Sequence, residues 1–166
     1  MRGKDRQRDS TEPKGELASR TLAMPADSNP KGDIFGGWIM SLMDSAGKMS
    51  ATPHAGGRVV TVAVSNIAFL QPVHVGDTVC CYTDVKRRGR TSITLDVEVW
   101  VLRQGQGARI KVTDAEFTFV AVHEDGSPRE LTSPNPKLQP QPVRGGRSSR
   151  QPKAEVSAVP ARRIVP

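Results

Sequence analysis

The stretch that decides the fold is Met24-Pro-Ala-Asp-Ser-Asn29-Pro-Lys-Gly-Asp-Ile-Phe-Gly36-Gly37-Trp-Ile-Met-Ser-Leu-Met-Asp44-Ser-Ala-Gly-Lys-Met49. Its first third is turn chemistry, with Asp27, Asn29, Pro30 and Gly32 following one another closely. A glycine pair then opens an apolar run that predicts a helix from Gly36 to about Ser50, stopped by Pro53 and Gly56-Gly57. The run is apolar nearly all round, as in a helix wrapped by protein. Asp44 stands in its middle. Burying an ionised carboxylate among Trp, Ile, Met and Leu is costly unless it is partnered, so Asp44 marks a candidate functional site.

Outward from this helix the chain reads as strand. Residues 16–23 form a short first strand. Val60, Val62 and Val64 alternate with Thr61, Ala63 and Ser65 in a run reaching Leu70, before Pro72. Further runs span 77–87, 90–103 and 109–122, separated by Arg88-Gly89, Gln104-Gly105-Gln106-Gly107 and Glu124-Asp125-Gly126. Short turns between long runs predict antiparallel neighbours. One helix against four or five such strands predicts an α+β domain, a curved antiparallel sheet wrapped around one long central helix. The sheet keeps an edge, and pairing edges across a homodimer would cover it.

The charge of +7 on 166 residues is unevenly placed. Residues 133–166 hold seven Lys and Arg against the single acid Glu155, leaving only +1 for the rest, and they hold 7 of the 13 prolines. Such a segment cannot bury enough apolar surface to offset its ordering entropy and is expected to be disordered, as are residues 1–15. The expected domain is therefore 16–132, nearly neutral, and nucleic acid is an unlikely partner: the basic tail lacks aromatics for stacking and no helix-turn-helix pattern precedes it. Cys80 and Cys81 are adjacent, too constrained for a mutual disulfide and without metal-type spacing. With no secretory or long apolar segment, they point to a cytoplasmic protein that does not enter the membrane, and no metal is expected.

The glycine pair leaves first-turn N–H groups uncovered, where the helix dipole adds partial positive charge. That arrangement suits a developing oxyanion, although glycines there also permit close helix–sheet packing. Asp44 lies seven residues past Gly37, about 10 Å along the axis at ~1.5 Å per residue. One carbonyl cannot reach both groups on one helix, so joint action requires a second helix, antiparallel across a dimer. A plain i,i+4 pair with Lys48 is the competing reading of Asp44. Asn29 by itself reads as a turn residue.

Taken together, several segments carry a family resemblance: Leu22-Ala-Met-Pro-Ala-Asp27, Asn29, Gly32-Asp-Ile-Phe-Gly-Gly-Trp38, Met43-Asp44, Arg58-Val-Val-Thr-Val62, Phe69-Leu-Gln-Pro-Val73, Gly76-Asp-Thr-Val-Cys-Cys-Tyr82 and Glu98-Val-Trp-Val101. Over residues 16–131 the chain resembles hotdog-fold acyl-CoA thioesterases, in particular the bacterial YciA-like branch. The resemblance implies hydrolysis of acyl-CoA to a free acid and CoA with no cofactor beyond the CoA of the substrate. It also implies dimers that assemble further into a trimer of dimers, a homohexamer. Position by position it implies Asp44 as general base or nucleophile, Asn29 as the loop amide, and Gly37 as the oxyanion donor, with Asp44 supplied by the partner protomer. CoA contacts are implied around Arg58 and Thr61 and around Arg90, Thr91 and Ser92. The run from Lys86 through Arg87, Arg88 and Gly89 to Arg90 offers guanidinium forks for phosphate, or equally a solvated turn. A hotdog dehydratase, which needs a His in the loop before the helix, is disfavoured: the histidines are His54, His74 and His123. The alternative is a non-catalytic acyl-CoA sensor whose basic tail contacts an acidic partner. Acyl-chain preference is not legible. Trp38, Met40, Met43 and Phe69 suit an acyl tunnel but equally an ordinary core.

Overall fold

The computed structural model describes residues 11–132, and the tail expectations for 1–10 and 133–166 lie outside the described residues. Strand β1 (Glu16–Leu22) is followed by a single 3-10 turn (Pro25–Asp27) and the helix α1 (Gly36–Ala55). Four strands follow: β2 (Val59–Phe69), β3 (Thr78–Arg88), β4 (Ser92–Leu102) and β5 (Arg109–Ala121). All pairings are antiparallel and the sheet order is β1-β3-β4-β5-β2, so β1 and β2 form the edges. The helix packs across one face of all five strands. This is the expected α+β architecture, and it follows from period-two patterning: Ile93, Leu95, Val97, Val99 and Val101 of β4 all face the helix and are buried.

The other face of the sheet is polar with one apolar island of Cys80, Tyr82 and Trp100. Glu98, only 5% exposed there, accepts from Trp100 Nε1 (2.9 Å), Lys111 Nζ (3.3 Å) and the Lys14 backbone N–H (3.1 Å). Lys14 and Gly15 are thus already anchored to the sheet, which moves the start of ordered packing ahead of residue 16.

Two expectations about the helix need correction. It continues beyond Ser50, through Pro53, to Ala55, and ends at Gly56 in the left-handed conformation. Pro53 removes only one N–H, and two arginines hold the last carbonyls. Arg88 Nη2 donates to His54 O (3.0 Å) and Arg129 Nη2 to Ala55 O (3.0 Å), favourable also for the negative end of the dipole. Nor is the helix enclosed all round. Ile39, Met43, Ala46, Gly47, Ala51 and Ala55 form its buried stripe, while Gly37, Met40, Ser41, Ser45 and Lys48 are exposed along its other side, with Asp44 half-buried among them. No helix among the described residues is long and apolar enough to cross a membrane.

Candidate active site

Helix α1 begins without a cap. Phe35 occupies the N-cap position and offers no side-chain acceptor, and the first turn carries no acid. Trp38 N–H and Ile39 N–H both bond Phe35 O (3.1 and 3.3 Å), so among the described residues the Gly36 and Gly37 amides have no acceptor. The two glycines differ in surroundings. A Cβ at Gly36 would meet the Phe69 ring at 3.4 Å, whereas a Cβ at Gly37 would meet nothing within 4 Å. Gly36 therefore abuts the Phe69 ring, whereas Gly37 is exposed with open space where a side chain would stand.

The preceding loop is a small closed hairpin. Ser28 bridges Ile34, Asn29 N–H bonds Asp33 O (2.7 Å), and Phe35 N–H bonds Asp27 O (3.1 Å). Asn29 Oδ1 accepts the N–H groups of Lys31 (2.9 Å) and Asp33 (3.1 Å). The turn role read from the sequence is real, and it sets the amide's orientation: with Oδ1 occupied, Nδ2 is the end left free to donate.

Asp44 lies on the open stripe, two helical turns from Gly37 and nearly in line with it. Its side chain is 37% exposed, so the carboxylate is not enclosed within its own chain as the sequence implied. The i,i+4 reading of Asp44 holds, though not alone. Lys48 Nζ lies 3.7 Å from Oδ2 as an exposed i,i+4 pair, while Thr61 Oγ1 on β2 hydrogen-bonds Oδ1. Thr61, assigned to CoA contact by resemblance, is here the orienting partner of Asp44. Nothing in the sequence signals that cross-element pairing, which depends on how the helix lies against β2.

The expected CoA-binding residues gather near the other end of the helix. Arg58 follows the helix directly and donates to Glu124 O (3.2 Å). Arg87 is exposed on β3, and Gly89 closes the β3–β4 turn on Ser92 O (2.7 Å). Arg90 pairs loosely with Glu130 (3.6 Å), both largely exposed, and Thr91 O accepts Ala121 N–H (2.9 Å). Arg88, from the same run, is committed to the helix end and to Thr132 O (2.7 Å). Within one chain, Gly37 and this arginine cluster sit at opposite ends of a 20-residue helix, ~30 Å long.

A hollow of about 290 Å³ lined by Ile34, Gly36, Ile39, Phe69, Leu70 and Val112 opens beside the glycine pair. Of the four residues considered for an acyl tunnel, only Phe69 borders it, and Met43 is core. A larger cavity of about 490 Å³, including Leu17, Met49, Pro53, His54 and Thr83, lies on the far side of the helix and contains none of the expected site residues. Among the described residues no group of three or more His, Cys, Asp or Glu could hold a metal ion.

Comparison with known proteins places this geometry. Residues 31–108 match the family model of the thioesterase superfamily. The acyl-CoA thioester hydrolase YciA of Salmonella typhimurium is 56% identical over 122 residues, 72% of this chain and 92% of that protein. A hexameric thioesterase of Yersinia pestis superposes with a TM-score of 0.69 at 55% identity, over 74% of this chain and 99% of that one. A hexameric broad-specificity acyl-coenzyme A thioesterase gives a TM-score of 0.71 at 52% identity, over 76% and 87% respectively. With the fold, the uncapped glycine turn and these identities in agreement, the chain belongs to the thioesterase superfamily, in its YciA branch of hotdog-fold acyl-CoA thioester hydrolases.

Proposed function

We propose that this protein hydrolyses acyl-CoA thioesters to a free carboxylic acid and CoA, at sites shared between two protomers. The observation that carries the reading is the open helix stripe, which holds an unpartnered Gly37 amide and a half-exposed Asp44 carboxylate oriented by Thr61 of the edge strand β2. In an antiparallel pair of helices, Gly37 of one protomer comes opposite Asp44 of its partner. The arginines at one helix's end then lie toward the other's start, where a CoA arm would run. The exposed edge strand β2, with Val62 54% accessible beside the open stripe, is the surface on which two protomers pair. Since relatives are described as hexameric, we assign a trimer of dimers. Free, buried Cys80 and Cys81 suit a reducing, cytoplasmic compartment.

In this reading the thioester carbonyl rests on the Gly37 N–H, at the positive end of the helix dipole. Asn29 Nδ2 holds the carbonyl or the attacking water. The partner's Asp44 either takes a proton from water or attacks the carbonyl itself. Negative charge builds on the carbonyl oxygen, where a preorganised backbone donor is worth ~3 kcal/mol. Collapse of the tetrahedral species expels the CoA thiolate, a good leaving group that needs less acid assistance than an amine. Attack by water yields the free acid and the proton held by Asp44 passes to the thiolate, whereas attack by Asp44 leaves a mixed anhydride that water hydrolyses to the acid. Arg58, Arg87 and Arg90, with Thr91, Ser92 and the Gly89 turn, are assigned to the CoA phosphates. The broad-specificity relative has also been crystallised with an aspartate replaced by alanine.

Release of the CoA thiol tests the proposal directly. Asp44→Asn is expected to lower kcat by about 10²–10⁴-fold, the range for a positioned acid–base group, while CoA binding persists. Asn29→Ala should lower kcat with little change in CoA affinity. An Asp44→Asn protein turning over at the wild-type rate would refute the assignment, and an inactive wild type that binds acyl-CoA would favour the sensor.

A further inference from the structure

The loop that carries Asn29 and leads into Gly37 is built on another loop, residues 71–77. Ile34 N–H bonds Val73 O (2.9 Å), and Asp33 bridges His74. At the far end of that second loop, Gly76 N–H bonds Ala23 O (2.8 Å) and Ala23 N–H bonds Asp77 O (2.9 Å). The segment is therefore sandwiched between the end of β1 and the entrance to the helix. Its conformation depends on one side chain from elsewhere. Arg103, just past β4, sends Nε to Asp77 Oδ1 (3.0 Å) and Nη2 to Asp77 Oδ2 (2.8 Å), and Nη2 also reaches Pro72 O (3.0 Å). Asp77 Oδ2 further accepts His74 N–H (2.9 Å). One guanidinium thus ties both ends of the loop, on either side of Val73. The pair is enclosed, with the Asp77 side chain 2% and the Arg103 side chain 21% exposed.

We infer that Arg103 and Asp77 are positioning residues for catalysis: their fork fixes the 71–77 loop and, through Val73 O and Ile34 N–H, the Asn29 amide and the start of helix α1. This rests on the acyl-CoA hydrolase reading above. Neither side chain touches the substrate. Their effect passes through two backbone contacts, and a fork is needed because a lysine cannot hold Asp77 and Pro72 O in one plane. A misplacement of ~1 Å at a catalytic group can cost ~10²-fold in rate.

The test compares Arg103→Lys and Arg103→Ala with Lys111→Ala, which strips buried Glu98 of its cation on the opposite face of the sheet. All three are expected to melt at lower temperature. Positioning predicts that Arg103→Lys and Arg103→Ala lower kcat by about 10- to 100-fold with KM nearly unchanged. Added ethylguanidinium should restore turnover to Arg103→Ala, and Lys111→Ala should keep the wild-type kcat. Wild-type kcat in folded Arg103→Ala overturns the inference. So does an equal loss of kcat in Lys111→Ala at a matched loss of melting temperature, or a loss in Arg103→Ala that no guanidinium restores. A wild-type protein that releases no CoA removes the underlying reading as well, and that outcome is distinct because it appears before any substitution is made.

Discussion

At the residue scale, buried and half-buried carboxylates are put to different uses here. Asp44 has one hydroxyl partner and a loose lysine, which leaves lone pairs free to take a proton or attack an acyl carbon. Asp77 is saturated by a guanidinium fork and a backbone N–H, which suits a brace and not a reactant. Burial pushes the Asp77 carboxyl pKa up, but the Arg103 hydrogen bonds, the His74 N–H and the positive charge of Arg103 outweigh it and hold it below the ordinary carboxylate value. The sign of the linkage follows. The stabilisation is present above the unfolded carboxyl pKa of about 3.9 and is lost as pH falls through the lower, folded value. Asp77→Asn is therefore expected to melt well below wild type at neutral pH, since breaking a buried pair costs ~3–5 kcal/mol, and the gap should close in acid. Thermal melts of both proteins across that range decide the matter, and a gap independent of pH would contradict it. Cys81, whose thiol burial pushes up in pKa, should stay silent toward thiol reagents in the native state and leave the CoA-release readout clean.

At the scale of elements, helix α1 combines a sealed stripe and an open one, and its glycines divide between them. Gly47 belongs to the sealed stripe: a Cβ there would stand 2.7 Å from Phe119 Cζ and 2.8 Å from its Cε2, and Phe119 is fully buried. Gly47→Ala improves helix propensity by ~1 kcal/mol, but overpacking a filled core costs about 1–3 kcal/mol. The expected result is net destabilisation, seen as a lower denaturant midpoint at unchanged slope. A higher midpoint would mean that the helix can lift off β4 and β5 without loss. Gly37, with nothing above it, has no such packing role, which separates two glycines whose residue type alone is uninformative. At its far end the helix runs through an internal proline, and Arg88 and Arg129 reach in from β3 and from the segment after β5 to take its last carbonyls.

At the scale of the whole molecule, the proposed site requires two chains. The mass should be about 108 kDa, six times 18.0 kDa, by light scattering. Complementation gives a sharper check. Asp44→Ala and Asn29→Ala proteins are each expected to be nearly inactive, yet a mixed dimer contains one site with both native residues. In a two-fold pair mixed at random, co-refolded variants should recover about one quarter of wild-type turnover. No recovery, with mixed oligomers demonstrated, would place both groups in one protomer and contradict the shared site.

The sequence by itself determined the element order, the antiparallel sheet and the glycine turn at the helix start, because period-two alternation and turn residues are local properties read from neighbouring positions. The same locality explains the choice of Asp44 as a candidate, whereas Asn29 reads locally as a turn residue and is a candidate only through the family resemblance. Tertiary structure alone decided how the helix end is held, through arginines 34 and 74 residues away in the chain from the carbonyls they bond. It also decided which side of the helix stays open, the pairing of Thr61 with Asp44, and the Arg103–Asp77 brace. These are contacts between elements, set by how the sheet curves and how the helix lies against it, and spacing along the chain does not encode them.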